Sequence, residues 1–89
     1  MKATKSFKIG EYAVGGIIKV DLNGNALSIK ALDYNSKKEV VGGNFMTNEY
    51  DAYWKTLSYL NELTSSYYAD KVMEFIKSKT TLNNGSDYL

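Results

Sequence analysis

Residues 17–34, I-I-K-V-D-L-N-G-N-A-L-S-I-K-A-L-D-Y, constrain this chain more than any other stretch. Ile18, Val20 and Leu22 alternate with Ile17, Lys19 and Asp21. Leu27, Ile29 and Ala31 then alternate with Ser28, Lys30 and Leu32. A period of two belongs to a strand with one buried face and one solvated face. Asn23-Gly24-Asn25 lies between the two runs, and Gly and Asn tolerate the positive φ that hairpin turns need. The stretch therefore predicts a hairpin that must bury one face, with Lys19, Lys30 and Tyr34 left on the other.

The remaining elements follow from punctuation and period. Residues 1–5 are polar and predict a loose end. Residues 6–13 predict a first strand, with Phe7 and Ile9 facing in and Lys8, Gly10 and Tyr12 facing out. Gly15-Gly16 separates it from the hairpin. The loop Asn35-Ser36-Lys37-Lys38 leads to a fourth strand over 39–46, in which Gly42-Gly43 suggests a bulge, a bend or a close backbone approach. The period then changes. Asn48 reads as an N-cap with acids behind it. Tyr50, Tyr53, Trp54, Leu57, Leu60 and Leu63 repeat at three and four, the stripe of an amphipathic helix over about 49–63. Thr64-Ser65-Ser66 marks a break, and Tyr68, Val72, Phe75 and Ile76 form the stripe of a second helix over about 67–79. One bent helix is the alternative. Residues 80–89 read as a flexible tail. The expected fold class is α+β, a four-stranded antiparallel meander followed by one or two amphipathic helices, as a single domain over residues 1–79.

Composition removes several functions. The 89 residues contain no histidine and no cysteine, which takes away disulfides, thiolate nucleophiles, imidazole bases and the usual zinc and haem ligands. Asp21, Asp33, Glu11 and Glu39 are scattered, and neither glycine pair precedes the Gly-Lys-Ser/Thr of a phosphate loop. The expectation is a protein without enzymatic activity, cofactor or metal. No run approaches the roughly 20 apolar residues of a membrane span, and no apolar stretch follows the first lysines. A cytoplasmic location is expected, consistent with a chain free of cysteine.

Net charge is +1, but its distribution is uneven. Residues 1–47 hold seven lysines against four acids, and residues 48–89 hold four against six. The positive charge belongs to the expected sheet. Lys8, Tyr12, Lys19, Lys30 and Tyr34 would share its open face, with Lys37 and Lys38 in the adjoining loop. Cations that track phosphates and rings that stack on bases are the combination single-stranded nucleic acid requires. The same pattern also suits a plain solvated face, because lysine blunts strand edges and tyrosine favours strands. Every basic residue is lysine, which contacts phosphate as a point charge, so backbone contacts would outweigh base reading. On the helix stripe, Tyr53, Trp54, Leu57 and Leu60 could pack on the sheet, or leave surplus apolar surface for a two-fold dimer.

The order of these features resembles the transcriptional positive cofactor four family of single-stranded-DNA-binding proteins. Phe7-Lys8-Ile9-Gly10-Glu11 looks like the family's F-x-I-G-K opening. Asn23-Gly24-Asn25 stands at its K-G-K turn and Leu27 to Tyr34 at its following strand. Gly43-Asn44-Phe45-Met46-Thr47 stands at the G-x-x-G-I-S-L segment, and Trp54 near its helical tryptophan. The resemblance covers about residues 6–63, and the related Whirly family shares the topology. It implies a homodimer or higher homo-oligomer joined through the helices, whose sheets present β-ribbons to single-stranded DNA or RNA. The implied role is sequence-tolerant binding in DNA replication, recombination or transcription. The small lysine- and tyrosine-rich format also suits a bacteriophage protein acting in the host cytoplasm. The alternative is a small phage-type interaction module that inhibits a host protein. The ending Ser86-Asp87-Tyr88-Leu89 is similar to the acidic, aromatic tips with which such proteins recruit partners, though a frayed end is the simpler reading.

Overall fold

A computed structural model describes residues 1–85. The ending at residues 86–89, and the partner-recruiting role considered for it, lie outside the described residues. Strands β1 (Lys2–Lys8), β2 (Gly16–Asn23), β3 (Ala26–Asp33) and β4 (Glu39–Met46) precede helices α1 (Ala52–Leu63) and α2 (Ser66–Lys79). The strands form one antiparallel sheet in the order β1-β2-β3-β4. This is the α+β meander with two helices that the period change predicts.

The central hairpin forms as its alternation requires. Ile18 faces Ala31, Val20 faces Ile29 and Leu22 faces Leu27, and all six are buried on one face. The loop is two residues, Gly24-Asn25, closed by the Asn23–Ala26 pair. Gly24 takes φ +61 at the first loop position, where a type II′ turn requires glycine.

Both helices cover this apolar face. Helix α1 lies beside β4, where Tyr59 meets Phe45 at 5.5 Å, and α2 lies beside β1, where Phe75 meets Phe7 edge-on at 6.0 Å. Ala52, Leu60 and Leu63 of α1 join Ala69, Val72, Met73 and Ile76 of α2 and the inward side chains of the sheet in one core. Thr56 is buried with them. Thr64 and Ser65 are both extended, with Ser65 in the N-cap position of α2, so the expected break between two helices is present.

Five expectations need correction. First, residues 2–5 are not loose, because Lys2 to Lys5 pair with Asn23 to Val20. The β2–β3 hairpin is eight residues deep, and without β1 the far side of β2 would leave its backbone groups unpaired. Second, the first strand ends at Lys8. Gly10 at φ +81 turns the chain into a short 3-10 turn over Gly10–Tyr12, which removes Tyr12 from the sheet.

Third, the buried stripe of α1 is Ala52, Thr56, Leu60 and Leu63. The stripe expected from bulk was Tyr50, Tyr53, Trp54, Leu57, Leu60 and Leu63, and only its last two members are buried. Small residues at 52 and 56 let the helix approach its neighbours, and the larger rings occupy the rim. Trp54 is 58% exposed. Leu60 has no accessible surface, so it is committed to this chain's own core and cannot be a dimer contact.

Fourth, α1 starts at Ala52 with Asp51 in the N-cap position, not at Asn48. Two tight turns, Glu49 N–H to Met46 C=O and Ala52 N–H to Glu49 C=O, reverse the chain first.

Fifth, residues 80–85 are packed. Leu82 is buried in the core, and Asn83 donates its N–H to Thr47 C=O at 3.0 Å. The Asn83 carbonyl accepts the N–H of Tyr53 at 2.9 Å, and the Asn84 carbonyl accepts from Trp54 Nε1 at 3.2 Å. Tyr53 lies in the first turn of α1, where N–H groups lack partners inside the helix. No side-chain cap bonds there, so the segment after α2 supplies the acceptor.

Removing the Leu82 side chain therefore opens a cavity beneath the strap that caps α1. Leu82→Ala is expected to cost about 2 kcal/mol or more of unfolding free energy by denaturant titration, the range for leucine truncation in a core. A loss under about 0.5 kcal/mol would show that this segment does not hold the fold.

Candidate nucleic-acid interface

With both helices on one face, the other face of the sheet carries no helix, although Ile17, which alternation places among its solvated positions, is buried there beside Lys8 and Leu32. The register sets its side chains in rows. Lys8, Ile17, Leu32 and Glu39 form one row, Ser6, Lys19, Lys30 and Gly42 the next, and Thr4, Asp21, Ser28 and Asn44 the third. Lys8, Lys19 and Lys30 thus share the solvent face, as their alternation predicts. Lys19 and Lys30 are directly opposite across β2 and β3. Like charges so placed repel each other.

Two acids moderate the charge. Lys30 Nζ lies 3.6 Å from Glu39 Oε1, an exposed pair of small energetic weight. Gly42 makes room for it: a Cβ there would sit 3.2 Å from both Lys30 Cγ and Glu39 Oε2. Asp21 accepts a bond from Thr4 Oγ1 at 2.7 Å. Lys8 and Lys19 have no ion-pair partner among the described residues. The cationic half of the face is therefore the Lys8 and Lys19–Lys30 rows. The far half holds a cleft of about 340 Å³ whose lining includes Asp21, Ser28, Asn44, Met46 and Glu49 and no lysine. The lysine on this half is Lys2, in the row of Asn23, Ala26 and Met46.

A shallow groove of about 540 Å³ opens at the Lys8 end. Lys8, Glu11, Gly16 and Tyr34 are among its lining residues. Gly16, at φ +108, lies under the Tyr34 side chain, whose Cβ is 2.9 Å from where a Cβ on residue 16 would stand. Any larger residue would displace the ring. Tyr34 is 46% exposed. Lys37, in the left-handed region at φ +64, places Nζ 5.0 Å above the Tyr34 ring and donates to the Tyr34 carbonyl. Lys37 is thus folded back on Tyr34, while Lys38 is exposed on the same loop.

Asp33 builds that loop. Its carboxylate accepts the N–H groups of Ser36 at 2.8 Å and Asn35 at 3.0 Å. These bonds to Ser36 and Asn35, aided by the charge of Lys37, hold the Asp33 carboxyl below its usual pKa. A lowered folded-state pKa stabilises the loop above the ordinary aspartate range, and the contribution disappears as pH falls through the folded value.

Tyr12 does not belong to this face. It lies on the 3-10 turn, with its ring stacked on Tyr68 of α2 at 6.1 Å and 25°. Thr64 Oγ1 donates to its carbonyl, and the Ala13–Thr64 bridge fixes the turn against the helix junction. Alternation predicted an outward Tyr12 on a strand that ends four residues earlier. A second aromatic patch, which strand period does not single out, lies at this point. Tyr67 meets Tyr68 edge-on at 5.0 Å, and Lys71 Nζ lies 4.9 Å from the Tyr67 ring. The adjacent Tyr67-Tyr68 pair at the start of a helix was the available signal.

Of the expected dimer contacts, Tyr53 and Leu57 are half-buried against the core and Trp54 is at the rim. Among the described residues, no helix is long and apolar enough to cross a membrane. Comparisons with protein-family models, with curated proteins and with solved structures each find no match.

The Asp33 carboxyl is expected to titrate below the ordinary aspartate value when followed by carboxyl carbon shifts in NMR. The amides of Asn35 and Ser36 should lose their hydrogen-bonded shifts over the same interval. Titration at or above the ordinary value would remove Asp33 as the organiser of the Lys37–Lys38 loop.

Proposed function

We propose that this chain binds single-stranded nucleic acid along the bare face of its sheet, without strong sequence preference. The observation that carries the reading is the opposed pair Lys19–Lys30, adjacent to the Lys8 row and leading to exposed Tyr34. Two like charges held face to face on a sheet are unfavourable alone, and a phosphate between them relieves the repulsion. Lys8, Lys19 and Lys30 would take the backbone, Lys38 would extend the track, and Tyr34 would stack on a base with Lys37 fixed behind its ring. Tyr12 is left out of the site. The absence of arginine leaves base identity weakly read. Such a protein would serve replication, recombination or transcription, the setting of the family that residues 6–63 resemble.

A second reading rests on Tyr12, Tyr67, Tyr68 and Lys71. Tyr12 and Tyr67 are exposed and Tyr68 half-buried, and aromatic rings beside a cation are the residue types that anchor protein interfaces. This patch would suit a protein partner, as in an inhibitor of a host protein.

Fluorescence titration with an oligothymidine at two salt concentrations separates the readings. Nucleic-acid binding is expected to weaken with salt at a slope of about −0.7 per phosphate neutralised. Lys19→Ala should reduce that slope by about one such step, and Tyr34→Ala should cost roughly 1–3 kcal/mol of affinity. Affinity weaker than micromolar at low salt, or an affinity indifferent to salt, would leave the interaction module as the better reading. An oligouridine arm reports any preference between DNA and RNA.

A further inference from the structure

The two edges of the sheet are built differently. The β1 edge carries Lys2, Lys5 and Lys8, a spacing of charge that discourages another strand from pairing. On the β4 edge the one charge is Glu39 at its start, and from Val40 to Met46 it reads V-V-G-G-N-F-M, with no charge and no proline. Val40 is 55% exposed, and Val41 and Met46 are also exposed.

Its backbone is open as well. Thr47 donates its N–H to Asn25 C=O across the β3 side. Bonding direction alternates along an antiparallel strand. Phe45, Gly43 and Val41 therefore bond toward β3, while Gly42 and Asn44 turn N–H and C=O outward. Those four groups have no partner among the described residues. Beside the edge, a groove of about 520 Å³ is lined by Phe45, Trp54, Lys55, Ser58, Tyr59 and Glu62. A Cβ on Gly43 would come within 3.1 Å of the Tyr59 ring, so the glycine lets that ring lie over the strand.

We propose that β4 pairs antiparallel with β4 of a second copy of this chain, about a two-fold axis at Gly43. Only a register centred on a residue keeps inward side chains opposite inward ones. Centring on Gly43 sets Gly42 against Asn44 of the second copy, and the reverse by symmetry. Each pair exchanges two N–H to C=O bonds, so all four open groups are satisfied. Val41 then faces the second copy's Phe45 on the helix side, an aliphatic–aromatic cross-strand pair.

Helix α1 runs back along β4, with Lys55 at its Phe45 end. Glu62 lies beyond Tyr59. The two-fold axis brings the Lys55 end of each groove to the Glu62 end of the other, so the charges of the two grooves meet in opposite pairs. Lys55 is also held by Asp51 at 3.4 Å and Glu49 at 3.5 Å, so this contact sets orientation more than affinity. The product is an eight-stranded sheet with both bare faces on the same side. It replaces the helix-mediated dimer, from which Leu60 is already excluded by burial. The proposal does not rest on nucleic-acid binding.

Light scattering on the full chain should give twice its 10.0 kDa, with a monomer appearing on dilution. The Gly42 and Asn44 amides should exchange with solvent more slowly as concentration rises, by tenfold or more across the transition. Asn44→Pro removes an outward N–H without touching the β3 ladder, and Val41→Lys places a charge on the edge. Each should raise the dissociation constant at least tenfold, with circular dichroism confirming the fold. If either variant unfolds, the wild-type exchange data decide alone. A 10.0 kDa species at every concentration overturns the proposal. So does a dimer whose Gly42 and Asn44 amides exchange as in the monomer. Oligothymidine affinity is measured separately, so failure here leaves the nucleic-acid reading standing.

Discussion

The rest of the molecule depends on one apolar seam, where the inner face of the β2–β3 hairpin meets the two helices. Ile18, Val20, Leu22, Leu27, Ile29 and Ala31 supply the sheet side, and Leu60, Val72 and Ile76 sit at the centre of the helix side. A chain of 89 residues has apolar material for one such layer. Both helices are consumed in covering a single face. The opposite face is then covered by neither helix, and its side chains are those the alternation places there, with Ile17 alone of the named outer rows buried.

Two candidate surfaces follow from this allocation. The bare face gathers Lys8, Lys19 and Lys30 because the strands register so that outward positions align. The β4 edge is open because the meander ends there, with the chain turning through residues 47–51 into α1. The strap of residues 80–85 belongs to the same economy. After α2 the chain returns to the start of α1, buries Leu82, and provides Asn83 as an acceptor for the first helical turn. The strap ties the last residues of the fold to the β4–α1 turn, far away in sequence.

The exposed tyrosines divide by environment. Tyr34 stands over Gly16 on the sheet side with Lys37 at its ring. Tyr12 turns to Tyr68 at the helix junction. Both looked like members of one face when placed by period alone. A single positive-φ glycine, Gly10, separates them by ending the strand before Tyr12. Sequence period assigns a face only while the strand continues.

The sequence by itself determined the hairpin, the order of elements, the break at Thr64-Ser65 and the lysine-bearing outer rows. Each is local: alternation, turn chemistry and helix-breaking residues act within a few positions. Tertiary structure decided the rest. Burial of Ala52 and Thr56 in place of Tyr53 and Trp54 depends on how closely α1 can approach the sheet and α2, which the stripe alone does not encode. The packing of Leu82 and the capping of Tyr53 by Asn83 depend on contacts about 30 residues apart in the chain. The bareness of one sheet face, on which the functional reading stands, was fixed only when both helices settled on the other.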